Sequence, residues 1–186
     1  MITGSVAVTD DVLLRPATPG DAAALSRSYL RNRDHLQPWE PRRPEEFYTA
    51  RGQADWLRAQ LQQQRQGRLM PWLLTDGDRV VGAVTLSNIA LGPFRSANLG
   101  YWVDAEYTGR GIATTAVRLA YRAADEQLGL HRVQAGTVVD NQPSQRVLSK
   151  CGFELIGAAR NYLHINGAWR DHLLFQRVLH DRRPPT

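Results

Sequence analysis

Tyr107-Thr108-Gly109-Arg110-Gly111-Ile112-Ala113 is the stretch whose reading decides the fold of this 186-residue chain. The apolar run Leu99-Gly100-Tyr101-Trp102-Val103 precedes it, and an alanine-rich helical pattern from Thr114 to about Leu128 follows. The order is strand, glycine-rich loop, helix. Two glycines one residue apart let the backbone turn sharply and leave its N–H groups uncovered. The first turn of a helix adds N–H groups with no intrahelical partner and a partial positive charge. The stretch therefore reads either as a tight turn before a helix or as a cradle for a phosphate or pyrophosphate, with Arg110 adding a full positive charge. Two better-known phosphate loops fit poorly. A Walker A loop needs Gly-Lys-Ser/Thr at its end, and Gly111 is followed by Ile112-Ala113. The dinucleotide fingerprint needs a third glycine, and that position holds Thr114.

The length is enough for one domain with a real core, and 42% hydrophobic against 22% charged residues is ordinary for a globular protein. The formal charge is +5, and Lys150 is the only lysine, so nearly all cations are arginine. Arginine suits planar contact with phosphate and carboxylate; composition bias explains the same excess. The charge fits a polyanionic cosubstrate or an RNA-rich neighbourhood and demonstrates neither. Cys151 is the only cysteine, so no internal disulfide forms, which fits a reducing compartment. Its apolar setting before Gly152 favours a core residue over a nucleophile. No apolar run reaches the roughly 18 residues that span a bilayer, and the N-terminus lacks a signal-peptide pattern. The expected location is the cytoplasm, without membrane attachment.

Residues 1–10 are polar and aperiodic and read as a flexible tail, 11–180 as one domain, and 181–186 as a second tail. Val12 to Arg15 is a first strand. Thr18-Pro19-Gly20-Asp21 starts a helix carrying Ala22, Leu25, Tyr29 and Leu30 at helical spacing. Prolines bracket Trp39-Glu40, which predicts a loop held extended, with Trp39 capping the core or walling a pocket. A second helix is expected from Phe47 to Gln66. Met70–Thr75 and Arg79–Ser87 are strands joined by Thr75-Asp76-Gly77-Asp78, a hairpin turn, and residues 88–97 are expected to be a loop. Val133–Val139 reads as a central strand. Asp140-Asn141-Gln142-Pro143-Ser144 caps a short helix ending at Cys151-Gly152, and Phe153 begins the next strand. Asn166-Gly167 turns a closing hairpin between Tyr162–Ile165 and Trp169–Leu179. Strands and helices in this order make a mixed sheet with helices on both faces, in the α/β class.

These features in this order resemble the GNAT acyltransferase superfamily, whose loop reads Gln/Arg-x-x-Gly-x-Gly/Ala. Thr108 to Ala113 matches except at the first position, where Thr108 replaces Gln/Arg. A second signature, Asn141-x-x-Ser144-x-x-x-Leu148-x-x-x-Gly152-Phe153, resembles the family's segment beside the pantetheine arm. Asn32-Arg33, Leu36-x-Pro38-Trp39-Glu40-Pro41, Leu99-Gly100-Tyr101 and Tyr162-Leu163-x-Ile165-Asn166-Gly167-x-Trp169 look like the RimJ/RimL branch, nearest to its RimJ members, over residues 12 to 180. The resemblance implies a largely antiparallel sheet splayed in the middle and direct acetyl transfer from acetyl-CoA to an amine, with no covalent enzyme intermediate and no metal. It implies cosubstrate contacts at Tyr101, Trp102, Val103, Thr108, Gly109, Arg110, Gly111, Ile112, Ala113, Asn141 and Ser144. A backbone N–H near Trp102 or Val103 would polarise the thioester carbonyl.

An α-amine has a pKa of about 7.7–8.0, so a base is needed near neutral pH. Glutamates that many relatives carry fall here at Asn98 and Ile156, and the superfamily's tyrosine acid falls at Leu148. Glu40, in the loop that borders the acceptor tunnel of this branch, is the favoured base, although a solvated ion pair accounts for such a glutamate as well. Ser144 is the hydroxyl left to protonate the thiolate, or merely a first-turn residue. Trp39, Glu40, Asn98 and His164 are expected to line the acceptor site. The expected acceptor is a protein N-terminus, of ribosomal-protein alanine type; a small-molecule amine and a non-catalytic acyl-CoA-binding role stand as alternatives. No direct nucleic-acid binding is expected, and either a monomer or a homodimer fits.

Overall fold

Strand β3 (Met70–Asp76) is buried on both faces, and its side chains divide between two cores. Met70, Trp72 and Leu74 join one cluster and Leu73 the other, as alternation along a strand requires. The computed structural model describes residues 4–183; residues 1–3 and 184–186, the outer parts of the two expected tails, lie outside the described residues. The strands are β1 (Val6–Ala7), β2 (Leu13–Pro16), β3, β4 (Arg79–Ala90), β5 (Ser96–Val103), β6 (Arg132–Val138), β7 (Glu154–Ile165) and β8 (Ala168–Val178). They form one sheet in the order β1-β2-β3-β4-β5-β6-β8-β7. Every neighbouring pair is antiparallel except β5 and β6.

The helices are α1 (Ala22–Arg31), α2 (Arg33–Leu36), α3 (Ala50–Arg65), α4 (Ile112–Glu126) and α5 (Gln142–Lys150), with single 3-10 turns at Pro19–Asp21, Glu45–Tyr48 and Ala105–Tyr107. Leu25 of α1 and Leu57 of α3 pack on one face of the sheet with Leu73, Val80 and Ala83. Ala116, Val117 and Ala120 of α4 and Leu148 of α5 pack on the other face. Full burial of each such leucine contributes about 1.5–3 kcal/mol, so each face carries its own stabilising core.

Five local expectations change. Val6–Ala7, within the expected tail, pairs with Leu13 and Leu14, since the turn between closes through Val8 N–H to Val12 O at 2.8 Å. Asn32 to Pro41 is not extended: α2 forms ahead of Pro38 because Leu36 is buried against the α1/α3 core. The Phe47–Gln66 helix is interrupted at Thr49, whose hydroxyl caps α3 by accepting from the Gly52 N–H at 3.0 Å. The 88–97 loop is shorter than expected: β4 runs to Ala90 through a bulge, with Asn88 at φ +50 and the Ile89 amide bonded to Arg68 O. The segments expected separately at 153–157 and 162–165 are one strand, β7, kinked by register shifts.

The feature that positions the site is the junction of β5 and β6. Their ladder holds only for Ser96↔Arg132, Ala97↔Val133 and Asn98↔Gln134. Beyond it, Leu99–Val103 stays paired with β4 while Ala135–Val138 stays paired with β8. The sheet opens there into a cleft.

Candidate active site

The cleft has a volume of about 670 Å³ and runs from the α2 turn, across β5, to the start of α4. At its α4 end, Gly109 and Gly111 sit at φ +75 and +78, a region that favours glycine. A Cβ built on either would meet nothing within 4 Å, so their surroundings are open. Thr115 N–H bonds Gly111 O at 3.0 Å; the amides before it, from Gly109 to Thr114, find no backbone carbonyl. These donors and the helix dipole converge on the cleft, as an anionic ligand requires. The approach to the loop is anchored rather than loose. Asn32 Oδ1 accepts the Ala105 N–H at 2.9 Å, and the buried Asp104 carboxylate accepts from Arg31 at 2.8 and 2.5 Å. Burial works against the Asp104 charge, but Asn32, Arg31 and the Glu106 N–H together hold its carboxyl below the usual range. Tyr107 is fixed by its hydroxyl to Asp76 at 2.6 Å.

Midway along the cleft, the Tyr101 hydroxyl lies 2.8 Å from Ser144 Oγ. Burial pushes the Tyr101 phenol up to about 12, so it stays protonated across ordinary pH. Asn141 caps α5 by accepting the Ser144 N–H at 3.1 Å, which fixes Ser144 in the first turn. Trp102 stacks against Tyr29 of α1 with ring centroids 5.1 Å apart. At the far end, Glu40 lines the cleft beside Trp39; burial pushes its carboxyl up, with Arg43 opposing in part. Its carbonyl accepts the Asn166 N–H at 3.1 Å, which ties the α2 turn to the β7–β8 hairpin.

Among the residues expected from sequence, Trp39, Glu40, Tyr101, Trp102 and Val103 line this one cleft, as do Thr108, Gly109, Gly111, Ile112, Ala113, Asn141 and Ser144. Three of the expected side chains stand outside the cleft. Arg110 turns away to an exposed ion pair with Asp11 at 2.6 Å and packs over the Tyr107 ring. Asn98 sits in the last rung of the β5–β6 ladder, before the strands part, and is exposed outside the cleft. His164 is exposed on β7 against Trp169 and does not reach the cleft. The hairpin instead contributes Leu163, Ile165 and His172, the last buried with Nδ1 3.0 Å from Arg170 O. His164 pairs with Trp169 near the hairpin tip, whereas His172 pairs with Ala159 on one side and Val138 of β6 on the other, a placement inside the sheet that only the β8 pairing with β6 reveals.

A model of the acetyltransferase (GNAT) domain matches residues 11–154. The chain belongs to the GNAT acetyltransferase family. It is 33% identical over 178 residues to the [ribosomal protein uS5]-alanine N-acetyltransferase of Escherichia coli, covering 95% of this chain and 92% of that protein. The solved ribosomal-protein-S5-alanine acetyltransferase of Vibrio fischeri superposes with a TM-score of 0.92 at 33% identity, covering 97% of this chain and all of the other. Mycobacterium smegmatis RimJ, solved with CoA-disulfide, superposes at 0.86 with 36% identity over 90% of this chain and 81% of that one. The chain is therefore an N-acetyltransferase of RimJ type, and the parted β5–β6 junction is the splayed sheet of the GNAT fold.

Proposed function

We propose that the protein acetylates the α-amine of a protein N-terminus, of the ribosomal-protein alanine type, using acetyl-CoA, in the cytoplasm. The observation that carries this reading is a single cleft with unpartnered loop amides at one end, a buried carboxylate at the other and a hydroxyl pair between them. The names of the RimJ relatives, which act on a ribosomal-protein alanine, support the acceptor.

In this reading the amides from Gly109 to Ala113 hold the pyrophosphate, and the free edge of Leu99–Val103 takes the pantetheine amides as an added strand would. Asn141 keeps its capping role and leaves its N–H₂ free for the same arm. A backbone N–H at Trp102 or Val103 polarises the thioester carbonyl. Glu40 takes a proton from the acceptor ammonium, directly or through water, which frees the neutral amine to attack; its raised pKa brings it nearer that of an α-amine. The amine nitrogen bonds the carbonyl carbon and the C–S bond breaks; the second N–H proton of the adduct passes through the Ser144 hydroxyl, which Tyr101 holds in place, to the departing thiolate. Products are the acetylated amine and CoA thiol.

Mixing the protein with acetyl-CoA and a panel of N-terminal peptides and small amines tests the reading. Thiol release fastest with Ala-initiated peptides is expected; release only with small amines, or with nothing, would overturn it. A polycationic drug is a poor fit, because Arg33, Arg42 and Arg43 cluster around the lone Glu40.

A further inference from the structure

A second void of about 240 Å³ opens beside the acceptor end of the cleft. Glu40 and Arg43 line both spaces, so they stand where the two meet. The void is cationic: Arg33, Arg42 and Arg43 face it, with Glu40 as its one carboxylate. The three arginines differ in how they are occupied. Arg33 is forked onto Glu45 and lies over the Tyr48 ring, 4.4 Å from its centroid. Arg42 packs against Gly167 at the hairpin tip. Arg43 lies over the Phe47 ring at 4.8 Å, and its buried Nε has no acceptor. Neither Arg42 nor Arg43 has a carboxylate partner among the described residues. Glu40 and Arg43 feel each other's charge, yet they do not close into an ion pair.

A half-buried guanidinium whose buried Nε lacks an acceptor, held beside a half-buried carboxylate, is costly unless something completes both. The complement of that pair is an ammonium next to a carboxylate: the amine meets Glu40, and the carboxylate meets Arg43. Arginine binds carboxylates through a planar fork, and partial burial strengthens the contact. The aromatic walls, Tyr29 and Tyr48, leave room for the intervening atoms without offering a competing charge.

We propose that this side cavity receives a carboxylate carried by the acceptor close to its amine, with Arg43 as the residue that selects it. The inference rests on the assignment of the acceptor amine to the Glu40 end of the cleft. Two acceptors supply that chemistry: a peptide with Asp or Glu next to its N-terminal residue, or the α-carboxylate of a free amino acid.

The test is a set of matched acceptors with acetyl-CoA: Ala-Glu against Ala-Gln peptides, and free alanine against alaninamide. In at least one pair the acid is expected to exceed its amide in kcat/KM by about tenfold, the worth of one good charge-assisted contact. The pair that shows the preference identifies the source. In Arg43→Gln the acid-to-amide ratio should fall to near one, and Arg43→Lys should keep part of it. The ratio is taken within one preparation, so loss of folded enzyme does not mimic the effect. Equal use of acid and amide in both pairs, or a ratio unchanged in Arg43→Gln, overturns the inference. Acetylation of neutral peptides without acid preference sinks it and leaves the N-terminal reading intact. Acetylation of free alanine alone does the reverse.

Discussion

As the proposed base, Glu40 sets chemistry against stability. Its carboxyl is raised by burial, so the folded protein favours the protonated form. The sign follows: the group costs nothing below the ordinary glutamate value of about 4.3, the cost grows from there up to the folded value, and it is constant above that. Glu40→Gln removes that cost. The variant is expected to melt higher than the wild type at pH 7, with the difference vanishing near pH 4, while its kcat falls about 10²-fold or more. A lower kcat in parallel with a lower melting temperature would mean that Glu40 is structural. The same residue marks how far the sequence could be read. Prolines at 38 and 41 suggested a stretched loop, and nothing in that local pattern says that Glu40 is buried. Beside its near neighbour Arg43, its surroundings come from Tyr29 of α1 and the hairpin residue Asn166, which lie well away from it in the chain. The geometry of the glycine-loop end was legible because Gly-x-Gly and Asn-x-x-Ser are local signals whose turn and capping travel with the residues themselves. Arg110 marks the limit there: charge and position placed it in the cradle, and a distant partner, Asp11, draws it out.

At the scale of elements, the loop before α4 is only as good as its mooring. Gly111→Asp places a Cβ at φ +78 and a negative charge among the donors, so acetyl-CoA affinity is expected to drop at least about tenfold by calorimetry. Arg31→Met acts from farther away. It leaves Asp104 buried without its cation, costing about 3 kcal/mol, and lowers the melting temperature by roughly 6–12 °C. Because Asp104 is held below its ordinary value of about 3.9, its contribution is present above that pH and is lost as pH falls through the folded value. The variant should therefore show a shallower acid limb in differential scanning calorimetry, together with weaker acetyl-CoA binding. Helix and strand order was readable from periodicity because both sheet faces are covered and the patterns are strong. The errors lie where long-range bonds overrule local preference, as where Arg68 draws Ile89 into an extended β4.

For the whole molecule, the parted β5–β6 junction divides the sheet into halves joined by a three-rung ladder and by the packing of α4 and α5. A ligand that bridges the halves binds only the folded form, and at a hundred times its Kd it adds about 2.7 kcal/mol. Saturating acetyl-CoA is expected to raise the melting temperature by roughly 5–11 °C, whereas acetylpantetheine, lacking the pyrophosphate, should do much less. Equal shifts with both would remove the loop amides from the binding account.

The same junction has a consequence for association between molecules. Sheet edges recruit other chains, and proteins usually blunt them with charge, proline or bulges at the rim. Here the unblunted edge, Leu99–Val103, is apolar and faces the cleft rather than the rim of the sheet, with Gly100 exposed. Any opening that swings β6–β8 away turns a substrate channel into an adhesive strand. With acetyl-CoA bound as proposed, the cosubstrate doubles as a plug, and heat-induced aggregation below the melting temperature should slow when it is present.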